Sequence, residues 1–305
     1  MSAVVGLGLA ALGRPGYINL GHGGDVADAT VAGMERAAHT VLDAAYAGGV
    51  RHFDAARSYG RAEQFLASWL AARAPADVVI SSKWGYRYTA GWRTDAETHE
   101  VKELTAEHLR SQWAETEALL GDRLALYQIH SATLDSGVLD DAEVREELAR
   151  LRARGIRIGL STSGTSQAAT IERALATGGF DEVQATWNLH ERSAEGALTA
   201  AHAAGLEVYV KEALANGRLT ARGADPRLTA AARARGVTED QLALAAALAQ
   251  PWAGVVLSGA ATVEQLRSNL EARRIAWDDA AAGELAPLAE EPSAYWDRRA
   301  ALPWS

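Results

Sequence analysis

Residues 49–72 read GVRHFDAARSYGRAEQFLASWLAA. A glycine turn leads into the short β-patterned run Arg51–Asp54, a loop follows that carries Tyr59, and Ala62–Ala72 then has helical period. That is one strand–loop–helix unit, and outward from it the same alternation recurs along the chain. Strands are expected at Val4–Leu9, Arg51–Asp54, Val78–Ser82, Leu124–His130, Ile156–Ser161, Glu182–Thr186, Glu207–Lys211 and Gly254–Leu257. Helices are expected near Glu35–Ala47, Ala62–Ala72, Ala106–Leu120, Ala142–Arg152, Ser166–Ala176, Ser193–Ala203, Thr238–Ala249 and Thr262–Ala272, with an additional one at Pro226–Arg235. Eight βα units in strict alternation imply a parallel sheet that closes on itself, so the expected fold is an α/β (β/α)8 TIM barrel. With no linker or internal repeat, it is expected to form a single domain over residues 1–305, with extra helices and a C-terminal tail.

A doubly wound open sheet is the competing architecture. It would usually carry G-x-G-x-x-G between its first strand and helix. Here Gly6-Leu7-Gly8 is followed by Ala11 where the third glycine belongs, and a long loop intervenes before the helix. The match is weak.

Composition narrows the function. The chain has 305 residues, 48% of them apolar and 23% charged, enough for a large buried core. Its formal net charge of −9 argues against gripping nucleic acid or an anionic membrane. It contains no cysteine, which removes disulfides, thiolate metal sites and cysteine nucleophiles. No basic leader and no long uncharged apolar run is present, so a cytoplasmic protein is expected. His52 and His190 have no second ligand at metal spacing, and no metal is expected.

In a barrel of this kind, functional side chains collect where the strands end. The second strand ends in Asp54, with Tyr59 just beyond it. The third ends at Lys83, one of only three lysines among 30 basic residues, and the fourth ends in His130. Each residue alone has an ordinary structural explanation. Together, on adjacent strand ends, they form a set suited to carbonyl reduction. Such a reaction leaves an alkoxide that must be protonated as it forms, and a tyrosine hydroxyl can supply the proton. A nearby ammonium is expected to lower the tyrosine pKa, and a buried carboxylate to hold the ammonium. Asp54, Lys83 and Tyr59 would form that chain, with His130 orienting the carbonyl or sharing the proton.

At this point the sequence resembles the aldo-keto reductase superfamily. The resemblance is carried by residues 49–60, by Ile80-Ser81-Ser82-Lys83-Trp84-Gly85 and by Leu126-Tyr127-Gln128-Ile129-His130. Ile158–Ser161, Val183-Gln184 with Trp187-Asn188-Leu189, Ala213-Leu214, and Glu264–Leu266 with Asn269-Leu270 extend it in the family's order over nearly the whole chain. The resemblance implies a barrel, a nicotinamide cofactor and the catalytic group Asp54, Tyr59, Lys83 and His130. It implies Ser161, Thr162 and Gln184 at the nicotinamide, with Lys211 where a stacking tyrosine often stands. Leu214, Gly217 and Leu219 would line the pyrophosphate. Ser258, Gly259, Ala260, Thr262, Gln265 and Asn269 would hold the adenosine end. NADP is the expected cofactor, bound at least as tightly as NAD, although Gly259 and Gln265 stand where many members carry a basic pair.

The long segment Trp84–Glu103 follows the catalytic lysine and is rich in aromatic residues and arginine. Trp84, Tyr86 and Trp92 are expected to frame a substrate pocket, with Arg87 and Arg93 supplying donors and aromatic residues of the tail closing it. The expected activity is NAD(P)H-dependent reduction of an aldehyde, ketone or sugar-like carbonyl, a small-molecule substrate. The alternatives are an NAD-linked aldose dehydrogenase and a non-catalytic nucleotide-sensing regulatory subunit.

Overall fold

The computed structural model describes residues 3–305. Its strands are β1 (Val4–Gly8), β2 (His52–Asp54), β3 (Val79–Trp84), β4 (Tyr86–Tyr88), β5 (Glu100–Lys102), β6 (Leu124–Ala132), β7 (Arg157–Thr162), β8 (Glu182–Thr186), β9 (Glu207–Lys211) and β10 (Val255–Ser258). The α-helices are α1 (His22–Asp25), α2 (Val31–Ala47), α3 (Ala62–Arg73), α4 (Ala106–Leu120), α5 (Ala142–Ala153), α6 (Gln167–Thr177), α7 (Glu195–Ala203), α8 (Pro226–Ala234), α9 (Glu239–Leu248), α10 (Val263–Glu271), α11 (Asp279–Leu285) and α12 (Pro292–Ala300).

The strands β1-β10-β9-β8-β7-β6-β3-β2 close into a barrel whose neighbours are all parallel. This is the eight-stranded barrel the alternation implies. The expected third strand stops at Ser82, but the observed one runs to Trp84, and the fourth barrel strand continues two residues past His130. The expected strands do not include the antiparallel pair β4–β5, which folds the segment after Lys83 into a hairpin beside the barrel mouth. Gly85 makes the hinge between β3 and β4 at φ 114°, a backbone region open chiefly to glycine.

Each helix packs for the reason its period suggests. In α2, Met34, Ala38, Val41, Leu42 and Ala45 recur at helical spacing and are buried. Thr30 starts this helix by accepting a hydrogen bond from the Gly33 amide. Fully burying a leucine such as Leu42 or Leu66 stabilises by roughly 2 kcal/mol. Among the described residues, no helix is long and apolar enough to cross a membrane.

Candidate active site

Asp54 is the last residue of β2 and is buried inside the barrel wall. Its carboxylate accepts hydrogen bonds from Ser81 Oγ (2.7 Å), from Gln128 Nε2 (3.0 Å) and from Lys83 Nζ. Lys83 is also buried and donates to the Ala55 carbonyl at 3.0 Å. A buried ion pair is supported when further hydrogen bonds satisfy its partners, and here Ser81, Gln128 and the Ala55 carbonyl do so. The Lys83 ammonium stands 5.0 Å from the centroid of the Tyr59 ring.

His130 reaches the same rim through an irregularity of β6. The register between β6 and β7 shifts between Ile129 and Ala132, so His130 and Ser131 lie in a bulge, with Ser131 at φ 54°. Bulges of this kind re-aim a side chain. Ser161 secures this one, its Oγ accepting from the Ser131 amide at 2.8 Å. The His130 ring lies edge-on to Tyr59 at 5.5 Å and to Tyr86 at 4.9 Å between centroids. The structure thus brings Asp54, Tyr59, Lys83 and His130 together, three of them from positions the strand-end rule selects.

The protonation states differ from one sequence-based expectation. Burial, then the charge of Asp54, pushes the Tyr59 hydroxyl well above its ordinary value, instead of the ammonium lowering it. Lys83 is engaged by Asp54 and faces the ring of Tyr59, so its charge does not outweigh burial. Burial, reinforced by Lys83 and Arg14, drives His130 well below its usual value, and the imidazole is neutral near pH 7.

These residues open on a cavity of about 520 Å3. Asp54, Tyr59, His130 and Gln184 line one end. From there it runs past Lys211, Leu214 and Gly217, then past Ser258, Gly259 and Ala260 to Gln265 and Asn269. The residues expected to hold a dinucleotide therefore largely share one groove, but four do not face it. Ser161 spends its hydroxyl on the β6 bulge. Thr162 is buried on the opposite face of β7, and Ser163 lines the groove in its place. Leu219 is fully buried in the apolar core. Thr262 caps α10, its Oγ accepting from the Gln265 amide.

The groove also has groups that lack partners. Asn216 is buried, has φ 55°, and its Oδ1 has no hydrogen-bond partner although it borders the groove. Glu212 and Ala215 in the same turn also have positive φ, at 55° and 47°. Left-handed non-glycine residues clustered in one loop store strain that tertiary contacts must support. Across the groove, the N-terminus of α10 offers amides and the positive end of its dipole. A strained loop and a helix N-terminus along one groove fit a phosphate-bearing dinucleotide, and the free Asn216 oxygen can accept from a ribose hydroxyl.

The substrate side departs from expectation. Trp84 is fully buried in the apolar core and does not line this cavity. Successive residues of a strand face opposite ways, so Lys83 pointing inward sends Trp84 toward the helices. Trp92 is also displaced. Its indole nitrogen donates to the Ala29 carbonyl at 2.6 Å, and its ring meets Phe65 edge-on. Arg87 and Arg93 are exposed and pair with Glu103 and Asp95. Only Tyr86 of the three expected aromatics lines the cavity.

Residues that the sequence reading did not place there complete the mouth: Arg14, Tyr17, Glu100, Glu212 and Arg299. Trp304 joins them, as the expectation of a tail closing the pocket implied. Arg14 is 2% exposed; its guanidinium carbon lies 4.8 Å from the Trp304 ring, 5.2 Å from Tyr17 and 5.4 Å from Tyr59. It donates to Glu100 at 2.9 Å. Arg299 of α12 holds Glu212 through Nε (2.8 Å) and Nη2 (2.5 Å). Burial would raise Glu212, but Arg299 and then Lys211 overcome it and bring the carboxyl down to about 2. Lys211 donates to Thr186 Oγ1 at 2.7 Å, and burial lowers its ammonium to about 8 against the pull of Glu212.

Comparison with known proteins gives a consistent result. The model of the aldo/keto reductase family matches residues 5–290. The uncharacterized oxidoreductase YqkF of Bacillus subtilis (strain 168) is 24% identical over 261 residues, covering 76% of this chain and 81% of that protein. Among solved structures, the holo form of the aldo-keto reductase AKR11C1 from Bacillus halodurans superposes with a TM-score of 0.74 at 20% identity, covering 95% of this chain and 93% of that one. PA4992 of Pseudomonas aeruginosa superposes with a TM-score of 0.66 at 25% identity, covering 93% and 92%.

Proposed function

Since this chain belongs to the aldo/keto reductase family, and is thereby an oxidoreductase acting on carbonyls, we propose that it reduces a small polar aldehyde or ketone with a nicotinamide cofactor, using Tyr59 as the proton donor. The observation that carries the proposal is the convergence of Asp54, Lys83, Tyr59 and His130 beside a groove of about 520 Å3 that is also lined by Gly259, Gln265 and Asn269.

When bound, the reduced nicotinamide supplies a hydride to the carbonyl carbon. This chain's residues supply the rest. The Tyr59 hydroxyl donates a proton to the carbonyl oxygen as the alkoxide forms, a contribution of roughly 10²–10⁴ in rate. Neutral His130 offers a ring N–H to the same oxygen and fixes its direction. Asp54 anchors Lys83, and Lys83 holds a positive charge beneath the Tyr59 ring, where charge appears as the proton leaves. Gln184 and Lys211 flank the nicotinamide end. Leu214 and Gly217 line the pyrophosphate, and the segment Ser258–Ala260 with Gln265 and Asn269 takes the adenosine.

Reduction needs the Tyr59 hydroxyl in its protonated form, and burial holds it there. The complete acid–base group, with its buried ion pair intact, argues against a purely regulatory role. At the mouth, Arg14 paired with Glu100 and Arg299 paired with Glu212 alternate donors and acceptors beside Tyr17, Tyr86 and Trp304. Such a lining suits a hydroxylated, sugar-like carbonyl. The test is a cofactor-oxidation screen with both reduced nicotinamides against hydroxylated and aliphatic carbonyls. Consumption that requires a carbonyl and disappears in Tyr59→Phe is the expected result, and no consumption with any carbonyl overturns the reading.

A further inference from the structure

The end of the groove farthest from Tyr59 has a charge pattern the sequence order conceals. Asp25, at the C-terminus of the short α1, is carried across the barrel mouth so that its Oδ2 accepts from Gln265 Nε2 of α10 at 2.9 Å. The same carboxylate takes a two-pronged ion pair from Arg222, at 2.8 and 2.5 Å. The Asp25 side chain is 10% exposed and borders the groove. Burial works against its charge, but hydrogen bonds from Arg222 and Gln265 outweigh that and hold it below the ordinary carboxylate value.

A second carboxylate stands beside it. Asp240 of α9 also borders the groove and accepts from Ser268 Oγ at 2.6 Å. With its amide oriented to satisfy both ends, Asn269 accepts from Ser258 Oγ at 2.8 Å and donates to Asp240 at 3.2 Å. Of the basic residues that border the groove, Arg14, Lys211 and Arg299 stand near Tyr59 or Glu212. Arg222 is the basic residue at this end, and Asp25 already occupies its guanidinium face.

We infer that this chain selects NADH over NADPH, with the Asp25 carboxylate as the discriminating group. The inference rests on the reductase reading above. A carboxylate at the adenosine end accepts from a ribose hydroxyl, whereas a 2′-phosphate is best met by a free cation such as an unpaired arginine. Here the phosphate would face Asp25 and Asp240 with the one local guanidinium already neutralised. Like charges at such range in a partly buried groove are costly. The family resemblance weighted the choice toward NADP; Asp25 and Gln265 are 240 positions apart, and only folding joins them.

The test is fluorescence titration of the intact protein with NADH and NADPH, together with ADP-ribose and its 2′-phosphate, which bind without turnover. Wild type should bind NADH at least about tenfold more tightly than NADPH, the factor one charge-assisted hydrogen bond commands. Asp25→Ser removes the carboxylate and frees Arg222, so the NADH-to-NADPH ratio should shift toward NADPH by about tenfold or more, and Asp25→Ser with Arg222→Ala should lose most of that gain. Asp25→Asn, which keeps the side-chain shape, should shift the ratio in the same direction. Both cofactors are measured on each variant, so a loss of folded protein cancels in the ratio. Equal or tighter NADPH binding by wild type, or an unchanged ratio in Asp25→Ser and Asp25→Asn, overturns the inference while the reductase reading stands. No binding of either dinucleotide overturns both.

Discussion

The ammonium of Lys83 stands 5.0 Å from the centroid of the Tyr59 ring while its hydrogen bonds go to Asp54 and to the Ala55 carbonyl. Lysine thus acts on the tyrosine through its field at the ring and through packing, in a site where burial keeps the phenol protonated. Tyr59→Phe removes the hydroxyl and leaves that packing. Turnover should fall by about 10² or more, the scale of a lost general acid, with cofactor affinity within about twofold of wild type. Steady-state rates and a binding titration check this, and near-normal turnover would remove Tyr59 from the mechanism.

The Asp54–Lys83 pair should behave as a unit in stability. Asp54→Asn or Lys83→Met alone leaves a buried charge uncompensated and should cost roughly 3–5 kcal/mol. The double variant, with both charges gone, should cost much less than the sum of the two. Urea unfolding of the four proteins decides it, and strictly additive losses would contradict the pairing.

Lys211 gives a pH dependence with a defined sign. Its ammonium, lowered to about 8, is charged below that pH and neutral above it. A cation beside the nicotinamide opposes the positively charged oxidised ring. Affinity for the oxidised cofactor should therefore rise as pH climbs through about 8, while affinity for the reduced form changes little. Lys211→Met should bind the oxidised cofactor more tightly at pH 7 and lose the pH step. Titrations from acid to alkaline pH test this, and a step that survives in Lys211→Met assigns it to another group.

Two tryptophans should separate binding from stability. Trp304 borders the cavity and packs against Arg14 and Tyr17. Trp304→Ala should lower kcat/KM by about tenfold, chiefly through KM, in line with the loss of one aromatic and cation–π contact. Trp92 lies outside the cavity with its indole bonded to Ala29. Trp92→Ala should leave kcat/KM unchanged and cost roughly 2–4 kcal/mol of stability. Kinetics paired with thermal melts would expose the reverse pattern.

Much of this site was legible before folding was considered. Alternation of β-branched runs with helical periods sets the barrel. The rule that strand ends carry chemistry then brings Asp54, Lys83 and His130 to one rim, because consecutive parallel strands lie side by side. The alternation rule also contained the correction for Trp84: if Lys83 faces inward, its neighbour faces the helices. It could not give the hairpin β4–β5 that takes Trp92 away from the pocket, or the bulge at Ser131 that aims His130.

By itself the sequence determined the local and repeating features of this protein: which segments form strands, where they end, and which polar residues sit at those ends. These follow from short-range periodicity, which the chain carries at every position. Tertiary structure alone decided the pairings across the barrel mouth, where Asp25 meets Gln265 and Arg222, Arg14 meets Glu100, and Arg299 meets Glu212. Those contacts join loops and termini far apart in sequence, and no local pattern encodes them. Their geometry is set by the closed barrel, so the protonation of the site and the charge of the groove emerge only once it has closed.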